Sequence, residues 1–112
     1  MTNYATDALY IFQNQTTDTT SETFYLDFTG KSASLIAYGT WDGASMYFQI
    51  ATPPTITGTP VWVTVRNLSR ASLIITDDEP ISLAEYVIGR PFRGVIINSG
   101  ASTSLNCIIQ VI

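Results

Sequence analysis

Apolar and polar positions alternate with a period of two along most of this chain, and Val, Ile, Thr, Tyr and Phe fill the alternating runs. Successive side chains of a strand point to opposite faces, so this period marks strands with one face in a core. A helix would place apolar residues at i, i+3, i+4 and i+7, and no stretch sustains that stripe. The pattern predicts strands over 8–13, 23–28, 34–41, 44–50, 61–66, 71–76, 81–88, 92–98 and 103–112. In the second of these, Phe24, Leu26 and Phe28 share one face, and Tyr25 and Asp27 the other. Turn-forming stretches ("TGKSA", "NLSR", "DDEP", "GRP", "SGAS") separate the runs, and the prolines of "ATPPTITGTP" rule out a central strand there. Short strands with turn signals about every 8–12 residues predict an all-β fold. The expected architecture is an antiparallel β-sandwich or jelly-roll-like barrel of about eight or nine short strands. One domain is expected over 8–112, preceded by a short N-terminal arm over 1–7.

The stretch "GTWDGASMYFQIA" (39–51) carries the strongest turn signal, Asp42-Gly43. A two-residue type I′ turn there predicts a hairpin in which Trp41 pairs with Ala44, Tyr38 with Tyr47 and Ile36 with Gln49. One face of that hairpin holds Leu35, Ala37, Gly39, Trp41, Ala44, Met46, Phe48 and Ile50, with small residues opposite large ones. Trp41 is then expected to point inward and cap the core; a sugar-stacking platform is its functional alternative. The other face holds Ile36, Tyr38, Thr40, Ser45, Tyr47 and Gln49. Its tyrosines combine buried area with a polar tip, which suits an interface. A sheet face covered by a loop is the plainer reading.

Several other runs are apolar on both faces, among them "LYIF", "VWV", "LIIT", "EYVI", "VII" and "CIIQVI". A free-standing antiparallel sandwich usually turns polar residues outward. Here a second surface is expected to be buried in an oligomer or larger assembly.

Composition narrows the chemistry. Charged residues are 12% of the 112 positions, about half the usual share of roughly 25%. No apolar run approaches the ~20 residues of a spanning helix, so no membrane partner is expected. The N-terminal "MTNYATDALYIFQ" has neither a basic start nor a continuous apolar stretch and is not read as a signal peptide. The net charge is −4, and the five basic residues Lys31, Arg66, Arg70, Arg90 and Arg93 make no stripe, which argues against nucleic acid as a partner. The single cysteine, Cys107, sits among alternating apolar residues and reads as a small buried hydrophobe. Histidine is absent, which removes the commonest general base and metal ligand together with every Ser-His triad.

Other motifs lead to the same place. "TGKS" (29–32) resembles the end of a phosphate-binding loop, but Tyr25 stands where that loop needs its first glycine, and a strand follows instead of a helix. "DDE" (77–79) lacks the ligand spacing of a calcium loop and reads as a solvated turn. "NLS" (67–69) fits a glycosylation pattern without a secretory context. "GRPFRG" (89–94) sets Arg90 and Arg93 around a Pro-Phe turn. Arg93 suits either a bidentate pair with a loop carboxylate or a clamp on another subunit. No catalytic residues, cofactor or metal ligands are predicted.

"GTWDGASMYFQIA", a Pro/Gly loop, "PVWVTV" and "RPFRGVIINSGASTSLNCIIQVI" together resemble small β-sandwich virion proteins of tailed bacteriophages. In these a "GTWDGAT-hydrophobic-Q" hairpin is followed by a Trp strand and a final Arg-apolar-Gly-Ser/Thr hairpin. The resemblance spans about Leu35 to Ile112. It implies a non-enzymatic structural protein, most readily a head decoration (cement) protein on the capsid exterior, assembled in the host cytoplasm. The implied partners are the major capsid protein or other virion proteins, with a homo-oligomer, a trimer by expectation. The candidate interface residues are Tyr38, Tyr47, Trp62, Arg90 and Arg93, and the arm or the 8–13 strand is expected to add to a neighbour's sheet edge. A fibre or tail accessory module that binds carbohydrate or a host receptor is the alternative.

Overall fold

The computed structural model describes residues 3–5, 8–51, 59, 61–66, 73–83 and 87–111; of 3–5 and Ala8 it describes the backbone. The described residues form eleven strands: β1 (Asn3–Ala5), β2 (Ala8–Gln15), β3 (Thr19–Thr20), β4 (Phe24–Leu26), β5 (Ala33–Thr40), β6 (Ser45–Ala51), β7 (Trp62–Thr64), β8 (Ile74–Ile75), β9 (Glu79–Ser82), β10 (Pro91–Ile97) and β11 (Ser104–Val111). They make two packed sheets, as the period of two predicts. Sheet A runs β1-β4-β10-β6-β7, with β3 also on β10 and β8 also on β6; sheet B runs β2-β11-β5-β9. The pairings are antiparallel except that of β1 with β4.

Two connections set the architecture. β5 enters β6 through residues 41–44, and β10 enters β11 through 98–103. In both, the chain leaves one sheet and joins the other. β5 pairs with β11 from Ser104↔Thr40 to Val111↔Ala33. β6 pairs with β10 from Phe92↔Ile50 to Ile97↔Ser45. The two arches therefore nest, each giving one strand to each sheet.

This corrects the hairpin expected at Asp42-Gly43. The turn is the expected one: φ is positive at both Asp42 (45°) and Gly43 (85°), and the Ala44 N–H donates to the Trp41 carbonyl at 2.9 Å. The strands beside it do not pair with each other. Trp41, 8% exposed, joins the core between the sheets. The side chains assigned to one apolar face, Leu35 and Ala37 on β5 and Met46, Phe48 and Ile50 on β6, are buried, but they meet across the core instead of lying side by side. The closing hairpin over 92–112 is corrected for the same reason.

Inside, Phe48 and Phe92 stack at 5.6 Å between centroids. Cys107 lies opposite Ala37 and Ile109 opposite Leu35, so small and large residues interleave. On β2 the register to β11 shifts between Cys107↔Phe12 and Ile108↔Tyr10. That bulge places two consecutive residues, Ile11 and Phe12, in the core and breaks the alternation.

Other boundaries move. The run over 61–66 narrows to β7 and that over 71–76 to β8, with 71–72 outside the described residues. The run over 81–88 begins earlier, as β9, and Val87 to Arg90 form a turn, with 84–86 outside the described residues. Most of the Pro/Gly/Thr loop, and residues 1, 2, 6 and 7 of the expected arm, also lie outside them. Within that arm, Asn3–Ala5 pairs in parallel with Phe24–Leu26 of its own chain.

Candidate functional site

The arch turns lock together at one end of the sandwich. The Ser102 N–H donates to Asp42 Oδ2 at 2.8 Å, and Thr103 Oγ1 donates to the Trp41 carbonyl at 2.9 Å while accepting from the Gly100 N–H at 2.8 Å. Thr103 is the buried polar residue of the core, and these bonds satisfy it. Asp78 Oδ1 accepts from Trp41 Nε1 at 2.9 Å and from the Gly39 N–H at 3.0 Å. The "DDE" turn thus anchors the indole instead of merely being solvated. Asp18 Oδ1 accepts from the Ser99 N–H at 2.8 Å, and its bonds to Ser99 hold its carboxyl below the usual value. Asp42 and Gly43 form a structural joint, with Asp42 Oδ2 engaged by the facing turn. At Cys107, burial pushes the thiol up to about 12, so it is a packed hydrophobe and no nucleophile at neutral pH. Among the described residues, no three His, Cys, Asp or Glu side chains are grouped as metal ligands would be.

The expected Tyr38/Tyr47 face does not exist as one surface. β5 and β6 belong to different sheets, so the two tyrosines lie on opposite outer faces of the sandwich. The arch that removes the hairpin also removes this pairing.

Tyr47 joins Trp62 and Arg93 on the outer face of sheet A. The register sets Arg93 beside Gln49 and Gln49 beside Thr64, with Trp62 one row away beside Ala51. The Arg93 Nε–H donates to Gln49 Oε1 at 2.8 Å, and its guanidinium carbon stands 3.8 Å from the centroid of the Trp62 ring. A guanidinium over an indole is worth about 0.5–2 kcal/mol, and with the bond to Gln49 it restrains the arginine. The sequence left Arg93 between a loop carboxylate and a subunit clamp; the sheet presents it on Trp62. Beside this pair, Tyr47, Gln49, Thr64, Ile74 and Ile97 line a shallow depression of about 190 Å³. Ile74, which pairs opposite Tyr47, is 57% exposed. Arg90 is exposed in the turn before β10, off this sheet face.

Tyr38 lies on the outer face of sheet B. A hydrogen bond between its hydroxyl and that of Tyr10 raises its phenol above the ordinary value, with desolvation adding to the effect. Here the register draws a row across every strand of the sheet: Tyr10 opposite Ile108, Ile108 opposite Ile36, and Ile36 opposite Pro80. Of that row the sequence assigned Ile36 to an outer face and placed Tyr10 and Ile108 in runs apolar on both faces; it did not join them into a row. Joining them needed the strand order, because no local pattern tells which strands become neighbours.

No family model, no curated protein and no solved structure matches the chain.

Proposed function

We propose that this is a non-enzymatic virion structural protein, a decoration or cement protein that binds and stabilises a bacteriophage head shell as an oligomer. The contact with the shell runs through the outer face of sheet A. The observation that carries the reading is the clamped Trp62–Arg93–Gln49 group, which runs from β10 across β6 to β7 on the outer face of sheet A. Aromatic and arginine side chains are the usual anchors of protein interfaces, and an arginine already ordered by stacking loses little freedom on binding. The likeness of 35–112 to phage sandwich proteins and the scarcity of charge support the same reading.

The test uses heads assembled without this chain, mixed with the purified protein and sedimented. Wild type should load to a fixed number of copies per head and raise the temperature at which heads release their DNA. Trp62→Ala and Arg93→Glu should each weaken loading at least about tenfold with an unchanged far-UV CD spectrum. Heads that take up no wild-type protein would overturn the reading.

A second reading is favoured by the depression lined by Tyr47, Gln49 and Thr64. Next to Trp62, it offers amide and hydroxyl groups for a sugar in a fibre or tail module. A glycan array on which wild type binds and Tyr47→Ala does not would select it over the first.

A further inference from the structure

We propose that the outer face of sheet B is a self-association surface on which two copies of this chain pack face to face about a two-fold axis. The inference deepens the oligomeric part of the reading above and needs no virion.

The row Tyr10–Ile108–Ile36–Pro80 crosses the whole sheet, from edge strand β2 to edge strand β9. Tyr10 is 43% and Ile36 45% exposed, so the stripe is open along its length. Next to it, Tyr38 and Asn106 face each other in the neighbouring row. The remaining described outward positions of β5, β9 and β11 are Ser, Thr and Gln.

Charge selects a second copy as the occupant. The chain carries −4, and carboxylates crowd the turns, with Asp18, Asp42, Asp77 and Asp78 all exposed there. Two copies that met through those ends would set like charges together. The outward strand positions described on this face carry no charge; the nearest carboxylates, Asp78 and Glu79, stand at its β9 edge, so here two copies approach with less of that repulsion. Its polar groups are hydroxyls and amides, each both donor and acceptor, so each can pair with its own symmetry mate. A two-fold contact demands such self-complementarity, because the same patch serves both partners. A stripe perpendicular to the strands meets its copy about a two-fold axis lying either along or across it. A trimer, in contrast, would need two different complementary patches.

The area is sufficient for a reversible dimer. Four strands about 4.8 Å apart and up to eight residues long at about 3.4 Å each give roughly 500 Å² of face. Two copies then bury on the order of 1,000 Å², the lower bound of a specific interface. An interface at this end of the size range suits a reversible dimer.

The experiment is sedimentation equilibrium of the full chain between about 1 and 300 µM, together with far-UV CD. Wild type should pass from monomer to twice the 12.3 kDa chain mass. Ile36→Lys should weaken the dimer at least about 30-fold, and Ile74→Lys, on the opposite sheet, should leave it unchanged. If Ile36→Lys misfolds, Ser82→Lys, an outward β9 position exposed in the single chain and covered in the proposed contact, takes its place and should weaken the dimer about tenfold through charge burial. A monomer throughout, a trimer, a dimer that survives the lysine substitution, or one that Ile74→Lys dissociates would each overturn the proposal. Whether heads load at all is read separately through Trp62 and Arg93, so failure of the dimer and failure of the head reading are distinguishable.

Discussion

Removing the carboxylate of Asp78 tests whether the arch is held open at Trp41. One oxygen, Oδ1, accepts from both Trp41 Nε1 and the Gly39 N–H. In Asp78→Ala both donors lose their acceptor. A hydrogen bond to a charged group contributes about 1.5–3 kcal/mol, and an orphaned buried donor costs about 1–3 kcal/mol. The Gly39 bond is exposed, so water replaces most of it; the indole N–H is half-buried and keeps most of its cost. The expected loss is about 2 kcal/mol, or roughly 8–12 °C in melting temperature for a chain of this size. Asp78→Asn retains a carbonyl acceptor and should lose about half as much. Urea denaturation followed by far-UV CD measures both. A double-mutant cycle with Trp41→Phe isolates the indole bond, and a coupling of about 1 kcal/mol is expected. If Asp78→Ala lies within about 0.5 kcal/mol of wild type, or costs the same with Phe at position 41, the anchoring role is refuted.

Two further predictions concern the core. Gly39 has φ of 137°, and a Cβ there would run into the Ser104 carbonyl oxygen of the paired strand. Gly39→Ala should cost about 3–5 kcal/mol in a urea titration, more than an ordinary strand substitution. Cys107 should resist a thiol reagent in the native state and react fully in urea. Its folded-state value is raised from 9.0 to about 12, so the unfolded chain ionises first. The stability it contributes is intact below about pH 9 and is lost as pH rises towards 12, at about 1.4 kcal/mol per unit. Cys107→Ala should show a correspondingly shallower alkaline fall.

The period of two was enough to read the sheet fold and most of the core, because burial of one strand face is a local property. Leu35, Ala37, Met46, Phe48, Leu105 and Ile109 all sit where alternation puts them. Which strands pair is not local. A type I′ turn at Asp42-Gly43 fits both a hairpin and an arch, and the alternation beside it is the same in both. What separates them is the pairing of β5 with β11 and of β6 with β10, distant in sequence, which no local pattern announces. The candidate site inherits that limit. Trp62 and Arg93 were picked out separately as an aromatic and a cation, but their stacking depends on β6 lying between β7 and β10. Tyr38 and Tyr47 were paired across a ladder that does not form. The bulge that buries both Ile11 and Phe12 was hidden for another reason: one extra residue leaves no mark on a run that is apolar throughout.

Outer positions in the middle of a strand gain little from the monomer. Ile36 and Ile74 remain about half exposed, and a threonine would serve the strand nearly as well. Neither isoleucine is needed to hold the sandwich together, and both add apolar surface to a weakly charged molecule. Covered by partners, they become useful, and the two faces can be covered at once because they lie on opposite sheets. A second copy bound through sheet B turns its own Trp62–Arg93 face the other way. Under the proposed function, one such face would meet the head shell while its twin points outward. Ile36→Lys should therefore halve the protein mass bound per site on the head and leave the number of sites unchanged, as measured by quantitative gel analysis of sedimented particles. Loss of the sites themselves would mean that sheet B, and not sheet A, meets the shell.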